Sequence, residues 1–459
     1  MANIIFSNYT PNELEDANVI NVTLGVFFDG TGNNKTNINE RKRNSAEFQK
    51  HGKKDTDSSY YSDWTNVARL WDNYSKSNSI YVEGIGTEDK KADSNIGYGT
   101  GTGSTGIRGK VRKGCEAIVT KKLKPLITGK TKIGILTFDV FGFSRGAAAA
   151  RNFVYEIGKA KYNAIPRSTG RSGTIYYTDS DGNITSELQL PKRGHLGLKL
   201  KEAGIEVDVI RVRFLGIYDT VSSYGINFSN DVAELNLNSI DLAKKVVHFV
   251  AENEHRANFD LTHVHVGIEK SFPGVHSDVG GSYNSGTEIV KEIETDWTNR
   301  NDLEPLRQRL IAEGWYQDNQ LTYTGGNLYW ALQGTRYLLK TYTYIPLHFM
   351  GQYCTKNSLP VDADHIENTK YPVSNDALLT RVKAKLKSYV MGDGKPYAFK
   401  RYSDIKSKYK GIETSQGYHN EIKEQKDLRE LRNKYLHWSA KREGVGLDPR
   451  SNRKRVTHY

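Results

Sequence analysis

From Val19 to Phe28 (VINVTLGVFF) apolar and polar residues alternate and then run apolar without interruption, the pattern of a strand that ends deep in a core. The same pattern predicts strands over Ser79–Glu83, Lys132–Phe141, Glu206–Tyr218 and Val264–Phe272. Apolar residues three and four apart (Trp64, Val67, Ala68, Trp71, Tyr74) predict a helix capped by Ser62 or Asp63. Further helices are expected over Ile107–Leu126, after Ser144, and over Ser239–Ala251, Leu303–Trp315, Leu328–Leu339, Asp376–Val390 and Glu421–Trp438. Strands alternating with helices predict an α/β fold, a mostly parallel sheet flanked by helices.

Three stretches break the pattern. Residues 35–60 are polar and aperiodic and read as an exposed loop. Residues 84–109 are Gly-rich but match neither a P-loop nor a dinucleotide fingerprint, so they read as a site rim whose amides and Arg108 suit a phosphate or headgroup. Residues 160–200 read as an insertion carrying a hairpin, with Asp181-Gly182 as its turn between Thr174–Tyr177 and Ile184–Leu190. The expected organisation is a catalytic domain over 1–375 with these three insertions, followed by a basic, mostly helical segment over 376–459.

The chemistry concentrates at Gly142-Phe143-Ser144-Arg145-Gly146, between a predicted strand and an Ala-rich helix. That order exposes Ser144 on a sharp turn that the glycines permit, with the helix N-terminus behind it, the arrangement of a nucleophile. Asp219 ends the predicted strand at Tyr218 and is the candidate acid. His276, in PGVHSDVGG after another strand, is the candidate base, with His348 as the alternative and His255 third. Ser144, Asp219 and His276 follow one another in the chain order of α/β-hydrolases. The turn after Phe28 supplies Gly30, Thr31 or Gly32, which with the Arg145 amide would bind an oxyanion.

Composition narrows the class. The chain has 459 residues, 37 % of them apolar, with 42 Gly and 28 Tyr. That is the profile of a soluble, loop-rich protein with no run of the ~20 apolar residues a membrane span needs. The N-terminus lacks the basic start and apolar centre of a secretory signal, so cytoplasmic synthesis is expected, and any export would use another route. The net charge of +12 belongs to the C-terminal segment: residues 381–459 carry 21 Lys and Arg against 9 Asp and Glu, while the remainder holds 44 of each. Such a segment suits anionic lipid or nucleic acid, or a solvated helical surface. Cys115 and Cys354 have no metal or redox spacing and read as ordinary thiols. No spacing demands a metal; Asp29 and Asp278 are the weak candidates for a divalent cation such as calcium.

Four stretches in order, FFDGTGNN, GFSRGAAAAR, LGIYDTV and PGVHSDVGGSY, resemble the Gly-X-Ser-X-Gly class of bacterial type VI secretion phospholipase effectors and the related uncharacterised α/β-hydrolase domain. The resemblance implies an α/β-hydrolase fold and, residue by residue, Ser144 as nucleophile and Asp219 as triad acid. It also implies hydrolysis of glycerophospholipid acyl esters at a target cell's membrane or periplasm without a required cofactor. Delivery by a secretion spike or adaptor, and neutralisation by an immunity protein in the producer, belong to the same expectation. Two alternatives stand beside it. One is an inactive hydrolase fold that binds nucleic acid or membrane, nucleic acid being the less expected ligand; the other is an esterase for a different small ester.

Overall fold

Six parallel strands form the centre of the computed structural model, which describes residues 19–94, 101–127, 131–169, 173–222, 232–326, 328–442 and 447–459. They are β1 (Val19–Phe28), β2 (Ser79–Val82), β3 (Lys132–Phe143), β4 (Val207–Tyr218), β5 (Val246–Ala251) and β6 (Ile268–Phe272), in the order β6-β5-β4-β3-β1-β2. Alternating side chains supply two cores. Phe27 stacks on Phe141 at 4.6 Å on one face, with Phe214, Phe249 and Phe272. Phe28, Val140 and Leu215 face the other side, where the helix Arg145–Gly158 lays down the fully buried Ala147–Ala150.

Register matters more for the site than the strands themselves. Phe28 pairs with Gly142, Phe143 with Tyr218, and Tyr218 with Phe249. Asp29, Ser144 and Asp219 therefore leave the sheet side by side at its carboxyl edge, where open α/β sheets place their ligands.

Several expectations are corrected. Val246–Ala251, read as the end of a helix, is the wholly buried strand β5, a pattern that periodicity alone cannot distinguish from a buried helix. Leu328–Leu339, also read as helical, contains the strand Tyr329–Leu338, which pairs with Gly286–Asp296 and Leu321–Gly326 in an antiparallel sheet. Residues 35–60 are not a loop throughout: helices Lys35–Lys42 and Ala46–His51 form there, capped by the Asn34 and Ser45 side chains and anchored by Ile38 and Phe48. Thr65, not Ser62 or Asp63, caps the helix Asn66–Asp72. In the 160–200 stretch the chain does turn back at Asp181-Gly182, with Thr178 bridged antiparallel to Ile184 and Thr185 N donating to Tyr177 O at 2.9 Å, but Ile175–Thr178 also pairs with Ile165–Ser168, which the sequence did not suggest. Part of the Gly-rich rim, residues 95–100, lies outside the described residues.

The C-terminal stretch is fastened into the same cores. Leu428, Leu431, Leu436 and Trp438 pack in one cluster with Phe249 and Phe272. Many of its basic groups are paired: Arg381 with Asp427, Lys385 with Glu424, Arg450 with Asp260, and Arg453 with Glu294. Thr457–His458 runs parallel to Leu261–Thr262. Among the described residues no helix is long and apolar enough to cross a membrane. Cys115 and Cys354 are free and buried.

Candidate active site

Ser144 occupies the turn between β3 and the helix Arg145–Gly158 with φ 60° and ψ −132°. A side chain rarely holds such a backbone, and the surrounding glycines show why it persists. A β-carbon on Gly142 would lie 2.4 Å from the Gly146 carbonyl oxygen, and one on Gly146 would lie 2.2 Å from the Asp29 carbonyl oxygen. The helix can thus start in contact with both β3 and the turn after β1 only because both positions are glycine. Ser144 N donates to Tyr218 O at 3.0 Å, which locks the elbow to the residue before Asp219.

Asp219 is also in the left-handed region (φ 43°) and fully buried. Its Oδ2 accepts from His276 Nδ1 at 2.5 Å. Its Oδ1 accepts from Ala251 N at 2.8 Å, and Arg455 grips both oxygens, Nη1 on Oδ1 at 2.7 Å and Nη2 on Oδ2 at 2.8 Å. Burial alone would raise the Asp219 pKa, but Arg455 and His276 outweigh it and hold the carboxyl well below the usual carboxylate range.

His276 is held between aromatic rings, Phe143 at 4.5 Å and Phe259 at 5.0 Å, and its backbone N–H donates to Glu254 at 3.2 Å. Burial lowers its pKa, partly opposed by Asp219. With Nδ1 on Asp219, Nε2 is the nitrogen left for chemistry. Neither Nε2 nor Ser144 Oγ hydrogen-bonds to another side chain or backbone group among the described residues. The structure thus brings Ser144, Asp219 and His276 to one edge.

The other histidines lie elsewhere. His348 is buried in the helix Tyr344–Lys356, with Nε2 on the Tyr371 carbonyl at 2.8 Å. His255 turns Nδ1 to Asn253 O at 3.1 Å and packs its ring on Trp438. Neither touches Asp219.

The turn after β1 holds a second correction. The Gly30 amide, expected to bind an oxyanion, donates to Asp29 Oδ1 at 2.8 Å, and that of Gly32 to Ile85 O at 3.0 Å. Thr31 N has no partner among the described residues, and Arg145 Nε donates to Thr31 Oγ1 at 2.7 Å, tying this turn to the elbow. Thr31 and the head of the helix are therefore the better donors.

Asp29 and Asp278 fit a metal poorly. Asp29 also accepts from Thr65 Oγ1 at 2.6 Å and Tyr81 OH at 2.5 Å. Asp278 accepts from Val275 N at 2.9 Å and from His437 Nδ1 at 2.7 Å. Burial raises both pKa values, opposed by these hydrogen bonds. Among the described residues no three His, Cys, Asp or Glu side chains gather as a cation site. Arg108, read as a headgroup contact, donates to Glu234 O at 2.9 Å.

Sequence reasoning missed Arg455 and Glu254. Glu254 holds the His276 backbone and pairs with Arg256 at 2.8 Å. Its place in Glu252-Asn253-Glu254-His255-Arg256, next to an arginine, is the signal the sequence offers for it. Arg455 lies 236 residues from its partner and gave none.

Residues 23–301 match the family described as type VI secretion system phospholipase effector Tle1-like, catalytic domain. The chain belongs to this family. Among solved structures, the Tle1 effector bound to the VgrG spike of the type 6 secretion system is 21 % identical, with a TM-score of 0.57 over 96 % of this chain and 94 % of that one. An uncharacterised protein from Pseudomonas aeruginosa is 18 % identical with a TM-score of 0.40, over 90 % of this chain and 59 % of that one. No curated protein matches the chain. The Tle1-like chain is thus a phospholipase effector of the type VI class, and the first of these structures shares its fold over nearly its whole length.

Proposed function

We propose that this Tle1-like chain is a serine hydrolase that cleaves acyl esters of glycerophospholipids and acts as an antibacterial toxin. The observation that carries the reading is the 2.5 Å contact of His276 Nδ1 with Asp219 beside the strained Ser144 elbow. His276 Nε2 takes the Ser144 proton as Oγ attacks the acyl carbonyl carbon. The amides of Thr31 and Arg145 hold the oxyanion. The carbonyl re-forms, the lysophospholipid oxygen leaves with the proton from the imidazolium, and an acyl-enzyme remains. Water, deprotonated by His276, then releases the fatty acid.

Family membership supports export by the type VI apparatus, and the VgrG-bound relative supports docking on a spike or adaptor. Action at the target cell's membrane or periplasm, and an immunity protein that protects the producer, complete the proposal. Ser144→Ala should abolish fatty acid release from phospholipid vesicles while leaving vesicle binding intact; release at the wild-type rate would reject the serine mechanism. No cofactor is required in this scheme. Hydrolysis should therefore proceed undiminished in a chelator, and a calcium-restored loss would refute that part.

A further inference from the structure

The end of the chain reaches the centre of the site. Leu261 N donates to Val456 O at 3.0 Å and His263 N to His458 O at 2.8 Å, so residues 456–458 run as a strap along the loop before β6. Arg450 on Asp260 and Arg453 on Glu294 fasten its approach. Between these anchors Arg455 turns inward. Its side chain is only 6 % exposed; Nε donates to Phe259 O at 2.6 Å, and the fork closes on both Asp219 oxygens.

A triad acid orients its histidine through one oxygen and needs no more than neutral donors on the rest of the carboxylate. Ala251 N already supplies one at 2.8 Å. A guanidinium adds two things: a planar fork that fixes the carboxylate plane, and a full positive charge. The groups facing His276 are Asp219, Glu254, Arg256 and, through Asp219, Arg455. With His276 neutral these two carboxylates and two guanidiniums balance. Without Arg455 the set carries a net negative charge, which favours the imidazolium and removes the base at neutral pH.

Resting on the triad reading above, the geometry points to Arg455 as a positioning residue: the C-terminal strap orients Asp219 and keeps His276 a neutral base. The test compares kcat and KM against pH for the full chain acting on detergent-dispersed phosphatidylethanolamine, with Arg455→Met, Arg455→Lys, Arg453→Ala and Ser144→Ala beside wild type. Arg455→Met should move the acidic limb of kcat/KM to higher pH and lose on the order of tenfold at neutral pH, a loss that shrinks as pH rises, since one pKa unit is a factor of ten in the neutral base. Arg455→Lys, which keeps the charge without the fork, should keep the wild-type limb with a lower kcat. Arg453→Ala, on the same strap, should keep the wild-type profile.

An unshifted limb in Arg455→Met overturns the inference, and so does an equal shift in Arg453→Ala, which would reduce the effect to a loosened strap. Should Arg455→Met not fold, Arg455→Lys decides alone, and an unchanged kcat there overturns it. Activity in Ser144→Ala would reject the triad reading and this inference with it. An inactive Ser144→Ala beside an unshifted Arg455→Met rejects only the role of Arg455.

Discussion

Ser144 and Asp219 both hold backbone angles that a β-carbon disfavours, at a cost of about 1–3 kcal/mol each. The neighbouring contacts over-determine them. Ser144 N is held by Tyr218 O, Asp219 N by Phe249 O, and the Asp219 carboxylate by Ala251, His276 and Arg455. Ser144 was legible because its strain needs flanking glycines, and glycines are visible in a sequence. Asp219 and His276 were legible as polar residues where buried strands end. The Gly30 amide was misread because the preceding Asp29 folds its carboxylate back onto it, a local hydrogen bond that spacing does not reveal. Arg455 was illegible because its partner is fixed only by the full fold.

Strand register is what gathers the site, and the turns at the strand ends pack against one another closely. A β-carbon on Gly84 would lie 1.8 Å from the Gly30 carbonyl oxygen. Gly84→Ala should therefore displace the turn carrying Thr31 and lower kcat on the order of a hundredfold, with KM little changed, as expected for a misplaced oxyanion donor. Steady-state kinetics on a dispersed phospholipid would check this, and a wild-type kcat would argue against Thr31. The long strands β1, β3 and β4 were readable because each enters the core gradually and shows alternation before its apolar run. Val246–Ala251 is buried from end to end and Tyr329–Leu338 alternates irregularly, so each lost the signal that separates strand from helix.

For the whole molecule, burial leaves a pH signature. Burial lowers the pKa of His248, His255 and His276, and pushes His348 down to about 4. The unfolded chain, with histidine near roughly 6.5, takes up these protons first. Stability is therefore full above that value and falls with pH toward each folded-state value, by about 1.4 kcal/mol per pH unit per histidine. Buried carboxyls with raised pKa, Asp29 and Asp278, recover part of this loss as they protonate. Urea unfolding at a series of pH values should show a decline from neutral into mildly acid solution; a flat profile would contradict the neutral buried histidines. The sequence shows the charge and the helices of the basic segment but not what their apolar faces meet, and Leu428, Leu431 and Trp438 share one core with Phe249 and Phe272.

Everything proposed for this site turns on Ser144, served by His276 and Asp219, hydrolysing phospholipid esters. Mass spectrometry of a mixed phospholipid substrate incubated with wild type or Ser144→Ala tests it most directly. Wild type should release free fatty acid and lysophospholipid and Ser144→Ala neither; equal product from both proteins would rule out Ser144 as the nucleophile.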